Sequence, residues 1–267
     1  MQNAQPLLLV GAGRMGGALI AGWRLTGAVP LAQIWLRDPA PGPEALAAAA
    51  DGARLNPEDA SLARIKTVIL AVKPQIWRSM AAQIAPHLHP DARLVSILAG
   101  VCAADIAAAF DGRPVARVMP TTAAAITKGC FSVWSDDPVG RTLCHSLFAP
   151  LGKVVDLAAE DQMHAATAAS GSAPAYLYAF IEALEAAARG QGLDPAVARD
   201  LVRSTLAGAA ALLDLSGEDP AELRRQVTSP EGTTAAALAI LTGDGGLESL
   251  MRQAVTAATA RSRELGA

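Results

Sequence analysis

Two short stretches of this chain carry residue types at spacings that can do chemistry. The first is Gly11-Ala12-Gly13-Arg14-Met15-Gly16. Glycines at the first, third and sixth places suit a tight turn, a close backbone approach and close helix–strand packing. A helix starting near Arg14 aims free N–H groups and a positive dipole end at whatever lies over Gly13, which favours an anion such as a pyrophosphate. The second is Val227-Thr228-Ser229-Pro230-Glu231-Gly232-Thr233-Thr234, ahead of an alanine-rich run. Thr233 or Thr234 can cap a helix there. Open N–H groups together with the hydroxyls of Ser229, Thr233 and Thr234 suit a carboxylate. On residue types alone, this second stretch reads first as an ordinary capped helix start.

The elements that must position these residues change character along the chain. Up to about residue 160, short apolar runs alternate with helical segments. Strands are expected at 7–11, 33–38, 67–72, 93–98, 114–119, near 130–134 and at 153–157, with helices at 15–27, 75–86, 103–110 and 138–150. This alternation predicts a parallel, doubly wound sheet of Rossmann type over residues 1–160. From residue 161 strand patterns vanish. Helical stretches follow, punctuated by Gly192, Pro195, Gly217, Pro220 and Gly243, so 161–267 is expected to be an all-helical second domain. The fold class is α/β with a helical C-terminal domain.

In that frame the glycine loop lies at the first strand–helix turn of a βαβ unit, where such a loop binds a dinucleotide. Gly11, Ala12, Gly13, Arg14, Met15 and Gly16 are therefore assigned to a cofactor. Open α/β sheets bind ligands beyond the carboxyl ends of their strands. The run 67–72 ends there, which brings Ala71, Val72, Lys73 and Pro74 to the cofactor as well. The strand 33–38 ends in Leu36-Arg37-Asp38-Pro39. An acid at this tip binds a ribose diol and favours NAD; an arginine takes a 2′-phosphate and favours NADP. Both are present. Arg37 is assigned to the 2′-phosphate and NADP is expected, with NAD as the alternative.

Composition removes several classes. The net charge is −3 and no basic run reaches five residues, so no nucleic-acid partner is expected. The start lacks a basic region before its apolar residues. The longest uncharged stretch, about 163–181, contains Ser170, Gly171, Ser172 and Pro174, so neither a signal peptide nor a membrane span is expected. Cys102, Cys130 and Cys144 are far apart and odd in number, which fits a reducing cytoplasm. His87 and His89 lack further ligand types nearby, so no metal site is expected.

Six motifs together resemble the pyrroline-5-carboxylate reductase family: GAGRMG at 11–16, AVKPQ at 71–75, SILAGV at 96–101, RVMPTT at 117–122, ASGSAPAYLY at 169–178 and VTSPEGTT at 227–234. They occur in the family's order and at its spacings, and the last two are the most specific. The resemblance implies a Rossmann domain followed by a helical dimerisation domain, in a homodimer or an assembly of dimers. It implies reduction of the cyclic imine 1-pyrroline-5-carboxylate to L-proline with hydride from NAD(P)H. It places Met119 near the nicotinamide, and Ser229, Gly232, Thr233 and Thr234 on the substrate, with the Thr234 hydroxyl closest to the imine nitrogen as the catalytic group. Two places depart from the family. Thr121-Thr122-Ala123 stands where Asn-Thr-Pro is usual, and Glu231 replaces the first of two glycines.

The alternatives are a reductase of a different cyclic imino acid and a non-catalytic NADP-binding sensor. β-Hydroxyacid dehydrogenases share the architecture but resemble one another in using a lysine of the helical domain as acid and base. The lysines here are Lys66, Lys73, Lys128 and Lys153, none of them in that domain, so this route is disfavoured.

Overall fold

A computed structural model describes residues 6–266. Their contacts fall into two compact units: the chain up to Gly171 together with the residues from Ala258 onward, and Ser172–Ala257.

The first unit is built on one sheet. Its strands are β1 (Leu7–Val10), β2 (Ile34–Arg37), β3 (Arg54–Leu55), β4 (Thr67–Leu70), β5 (Arg93–Ser96), β6 (Val115–Pro120), β7 (Gly129–Trp134) and β8 (Gly152–Asp156). They lie in the order β3-β2-β1-β4-β5-β6-β7-β8. The sheet is doubly wound and parallel, as the alternation predicts, apart from the pairing of β6 with β7. Parallel neighbours need a crossover of a dozen or more residues. Residues 121–128, which join β6 to β7, are too few for one, so the chain turns straight back. The two-residue β3 has no apolar run and left no signal in the sequence.

The α-helices of this part include α1 (Arg14–Thr26), α2 (Pro43–Ala50), α3 (Trp77–Ile84), α4 (Ala103–Ala109), α5 (Pro138–Phe148) and α6 (Gln162–Ala166). Alternate residues of each strand serve opposite cores, as the strand period of two requires. Leu7 and Leu9 join Leu36, Ile69, Val118 and Phe131 under Trp23 and Phe148. Leu8 and Val10 join Val68, Leu70 and Leu94 under Trp77 and Phe110. The fully buried Trp23 donates its ring N–H to the Leu147 carbonyl at 2.9 Å and stacks on Phe148 at 6.5 Å. That bond anchors α1, and with it the glycine loop at its start, to the end of α5.

By contact, the division between the units falls at Gly171–Ser172, because α6 and the turn Thr167–Gly171 stay on the sheet. Met163 and Ala168 are buried there. A Cβ added to Gly171 would meet the Met119 sulfur at 3.0 Å, so the small residue at this place has a packing reason. The chain end also returns to this unit. His164 Nδ1 and the buried Ser262 hydroxyl are hydrogen-bonded at 3.0 Å, and Arg263 pairs with Asp161 at 3.2 Å.

The second unit holds α7 (Ala173–Gly190), α8 (Pro195–Ser216), α9 (Pro220–Gln226), α10 (Thr233–Leu241) and most of α11 (Leu247–Glu264). Asp194 and Asp219 cap α8 and α9 by accepting from the N–H groups of Ala196 and Ala221, each at 2.8 Å and each followed by a proline. Ala198 and Val202 are its only buried residues among those described, whereas Leu177, Phe180, Leu184, Leu212, Leu213 and Met251 stay exposed. A helical unit with so little interior leaves its apolar stripes for a partner to cover.

Burial first, and then the Arg117 guanidinium, push the His164 pKa below 6.5. The unfolded chain therefore takes up a proton before the folded one does, and stability should fall as the pH drops from 6.5. Urea midpoints at several pH values should show this slope, and His164→Gln should flatten it. An unchanged slope in the variant would assign the acid sensitivity to other groups.

Candidate active site

The glycine loop is tight at both ends and open in the middle. The Gly11 N–H donates to the Arg37 carbonyl at 2.9 Å, and its φ is +95°. A Cβ on Gly11 would meet the Ala71 carbonyl oxygen at 2.6 Å, and one on Gly16 would meet the Gly11 carbonyl oxygen at 2.2 Å. Only glycine fits at these two places. A Cβ on Gly13 would meet nothing within 4 Å. Gly13 is also the residue before α1, which has no side-chain cap and no acid in its first turn. The first-turn N–H groups thus have no side-chain partner and suit an anion.

One carboxylate sets the loop. Asp38 accepts the Ala12 N–H at 2.6 Å through one oxygen and the Ala40 N–H at 2.8 Å through the other. The Asn56 side chain in turn bonds both backbone groups of Asp38, each at 3.0 Å, from a left-handed conformation with φ of +45°. Neither Asp38 as a loop staple nor Asn56 was expected from the sequence. The signal for the first was present, an acid at the tip of β2.

Arg37 is used differently from the sequence expectation. Its guanidinium donates to the Pro57 carbonyl at 3.0 Å and pairs with Asp59. The hydrogen bond from Arg37 holds the Asp59 carboxyl below its ordinary range. Neighbouring side chains on a strand point to opposite faces. With Asp38 turned to the loop, Arg37 turns away from it, and so it is not placed to take a 2′-phosphate.

Beside the loop lies a cavity of about 510 Å³, lined among others by Ala12, Gly13, Arg14, Ala40, Gly42 and Thr122. Ala71 joins the loop by donating its N–H to the Val10 carbonyl at 2.8 Å, and Val72 follows it. Lys73 is exposed and Pro74 half-buried past the end of β4. Met15 is half-buried on α1. Lys73 and Met119 do not line this cavity; Met119 is buried against Gly171. Thr121, the first departing residue, has a structural use. Its buried hydroxyl accepts the Cys130 N–H at 2.9 Å and ties the exit of β6 to β7. Among the described residues, no group of three or more His, Cys, Asp or Glu is placed to hold a metal.

In the second unit Ser229, Gly232, Thr233 and Thr234 gather on one turn. The residue before α10 is Gly232, not a threonine; Thr233 is already the first helical residue. The Gly232 N–H donates to the Ser229 carbonyl at 3.1 Å, and a Cβ on Gly232 would meet the Ser229 hydroxyl oxygen at 2.4 Å. A side chain at that place would require the Ser229 hydroxyl to move. Like α1, α10 begins with no side-chain cap. Glu231 is exposed with φ of +58°, a conformation that glycine adopts without strain, which accounts for the glycine usual in the family.

The strand order, the three glycines and the open cradle define a dinucleotide-binding α/β protein of Rossmann type with a helical second unit. The cradle at Gly13 and the uncapped α1 fit a pyrophosphate. Residues 160–265 match the family model described as pyrroline-5-carboxylate reductase dimerisation, and residues 7–100 match the one described as NADP oxidoreductase, coenzyme F420-dependent. The chain is 39% identical to the pyrroline-5-carboxylate reductase of Pseudomonas aeruginosa, over 97% of this chain and 96% of that protein. It superposes on the Coxiella burnetii pyrroline-5-carboxylate reductase with a TM-score of 0.89, at 27% identity, covering 99% of this chain and 100% of that one. With the Plasmodium falciparum pyrroline carboxylate reductase, solved with NADP bound, the TM-score is 0.85 at 26% identity, covering 99% of both chains. The chain belongs to the pyrroline-5-carboxylate reductase family.

Gly13→Ala and Gly16→Ala should separate binding from folding. The first has room in the free protein and should leave the unfolding midpoint nearly unchanged while weakening NADP⁺ binding. The second meets backbone at 2.2 Å and should cost roughly 1–3 kcal/mol of stability. Equal behaviour of the two variants, measured by urea unfolding and calorimetric titration, would contradict these roles.

Proposed function

We propose that the protein reduces 1-pyrroline-5-carboxylate to L-proline with hydride from NADPH, NADH being the alternative donor. We place it in the cytoplasm, as a homodimer or an assembly of dimers. The observation that carries this reading is the near full-length kinship to a pyrroline-5-carboxylate reductase at 39% identity, joined to two uncapped helix starts of the right kind. The exposed apolar residues of the second unit and its match to a dimerisation model support the assembly. Among the described residues no helix is long and apolar enough to cross a membrane.

The nicotinamide, when bound, supplies the hydride. The chain binds, orients and keeps water away. Gly11, Gly13 and Gly16 shape the cradle for the pyrophosphate, and Ala12 is held below it by Asp38. The turn Ala71–Pro74 walls the cofactor beside the loop, with Met119 nearer the nicotinamide. Arg14 contributes a cation at the same mouth. The Ser229 hydroxyl and the N–H groups from Gly232 to Thr234 take the substrate carboxylate, where α10 adds its positive end. A protonated imine accepts hydride at carbon more readily, and its carbon–nitrogen double bond becomes the single bond of a secondary amine. The chain's part is to keep the proton on that nitrogen, and the Thr234 hydroxyl oxygen accepts a hydrogen bond from it. No strong acid or base is needed for this step.

A screen of five- and six-membered cyclic imino acids with both cofactors tests the reading. Pyrroline-5-carboxylate should be the best substrate, with one proline formed for each NADPH consumed. No turnover with any cyclic imine would favour a cofactor-binding sensor. Glu231→Gly should raise stability by about 1 kcal/mol by removing left-handed strain, and should retain or lower KM. A large loss of kcat/KM would give Glu231 a positive role and count against carboxylate capture by this turn.

A further inference from the structure

We infer that Arg14, and not a residue at the tip of β2, reads the 2′-phosphate of the dinucleotide, and so separates NADPH from NADH. This rests on the reading above that the glycine loop holds a nicotinamide dinucleotide.

The ribose nearest the loop belongs beside the tip of β2 and the turn that follows it. Arg14, Ala40 and Gly42 line one cavity, so Arg14 and the turn after β2 share a border. The other cations nearby are engaged or lie elsewhere. Arg37 is held by Pro57 and Asp59. Arg24 pairs with Asp51 and, at 3.5 Å, with Glu44. Lys73 follows β4, and β4 lies on the opposite side of β1 from β2, so Lys73 stands across the loop from the ribose.

The acids nearby are also engaged. Both oxygens of Asp38 accept backbone N–H groups, so neither is left over for a ribose hydroxyl, although the carboxylate keeps its charge, and Glu44, which lines the same cavity, is shared with Arg24. Arg14 is exposed, and among the described residues its side chain makes neither a hydrogen bond nor an ion pair. An arginine left free at the first helical position has its whole fork available for a phosphate dianion, and the open start of α1 adds to the attraction. The guanidinium bonds two oxygens at once, which a hydroxyl at the same ribose position cannot match.

Calorimetric titration of NADP⁺ and of NAD⁺ into the full-length protein tests this, with 2′,5′-ADP and 5′-AMP as shorter probes. The variants are Arg14→Gln, Arg37→Gln and Lys73→Gln. Loss of a charge-assisted bidentate contact should reduce the ratio of NADP⁺ to NAD⁺ affinity by about tenfold or more in Arg14→Gln. The 2′,5′-ADP to 5′-AMP ratio should fall in parallel. The same ratios should be unchanged in the other two variants. Equal weakening of both dinucleotides by Arg14→Gln would make Arg14 a pyrophosphate ligand and overturn the inference, as would a changed ratio in Arg37→Gln or Lys73→Gln. Failure of the wild-type protein to bind either dinucleotide would instead overturn the cofactor reading itself.

Discussion

The Ala12 N–H bond to the Asp38 carboxylate is the interaction on which the rest of the site depends. It joins the turn after β1 to the turn after β2, so one side chain sets the height of the loop over both strands. A hydrogen bond to a charged group contributes roughly 1.5–3 kcal/mol, and here it acts where Gly11 and Gly16 already leave no slack. Between these fixed ends Gly13 and Arg14 are exposed, and a Cβ on Gly13 would meet nothing within 4 Å. The backbone is pinned on both sides of Gly13, the place suited to an anion. Anchoring of α1 through Trp23 to the end of α5 extends that rigidity through the core.

The same device recurs in the second unit. α1 and α10 both begin with glycine and carry no side-chain cap. Helices α5, α8 and α9 begin with Asp followed by Pro, and their aspartates accept the first N–H groups. The start of α4 is closed from a distance: the Ala103 N–H donates to Glu160 at 2.6 Å, and Glu160 pairs at 3.0 Å with the buried Arg117. These closed starts serve the fold. α2, α3, α6 and α7 also begin without a side-chain cap, so an open start alone does not mark a ligand site. On the proposed reading, the start at Gly13 serves a pyrophosphate because it is joined to the glycine loop, and the start at Gly232 serves a carboxylate because it is joined to the hydroxyls of Ser229, Thr233 and Thr234. Hydride transfer to an imine needs orientation more than acid or base strength, so the proposed reaction asks for no strong acid or base from the chain.

Much of this was legible in the sequence, for physical reasons that also mark where legibility ends. Strands buried on both faces read as continuous apolar runs, so β1, β4 and β5 stand out, and the glycine loop is recognisable because steric exclusion permits no other residue at Gly11 and Gly16. The direction of β7 depends on the length of the connection before it, which composition does not encode. At the β2 tip, Arg37 and Asp38 are adjacent and take opposite faces. A shift of one residue in register exchanges their roles, and residue types alone do not settle it. Thr233 is a good cap by propensity, but the Gly232 N–H bond to the Ser229 carbonyl closes a turn before it, and the helix starts one residue earlier. The unit boundary at Gly171 is set by Met163, Ala168 and Met119, a long-range packing that no local pattern announces.

Residue-resolved amide hydrogen exchange across Ala12, Arg14 and Met15, with and without NADP⁺, tests the central claim most directly. The account predicts that the Ala12 N–H is protected in the free protein by Asp38. It predicts that the N–H groups of Arg14 and Met15 exchange freely until NADP⁺ is added and are then protected. Exchange at Ala12 as fast as at its neighbours in the free protein, or no protection of Arg14 and Met15 by NADP⁺, would contradict it.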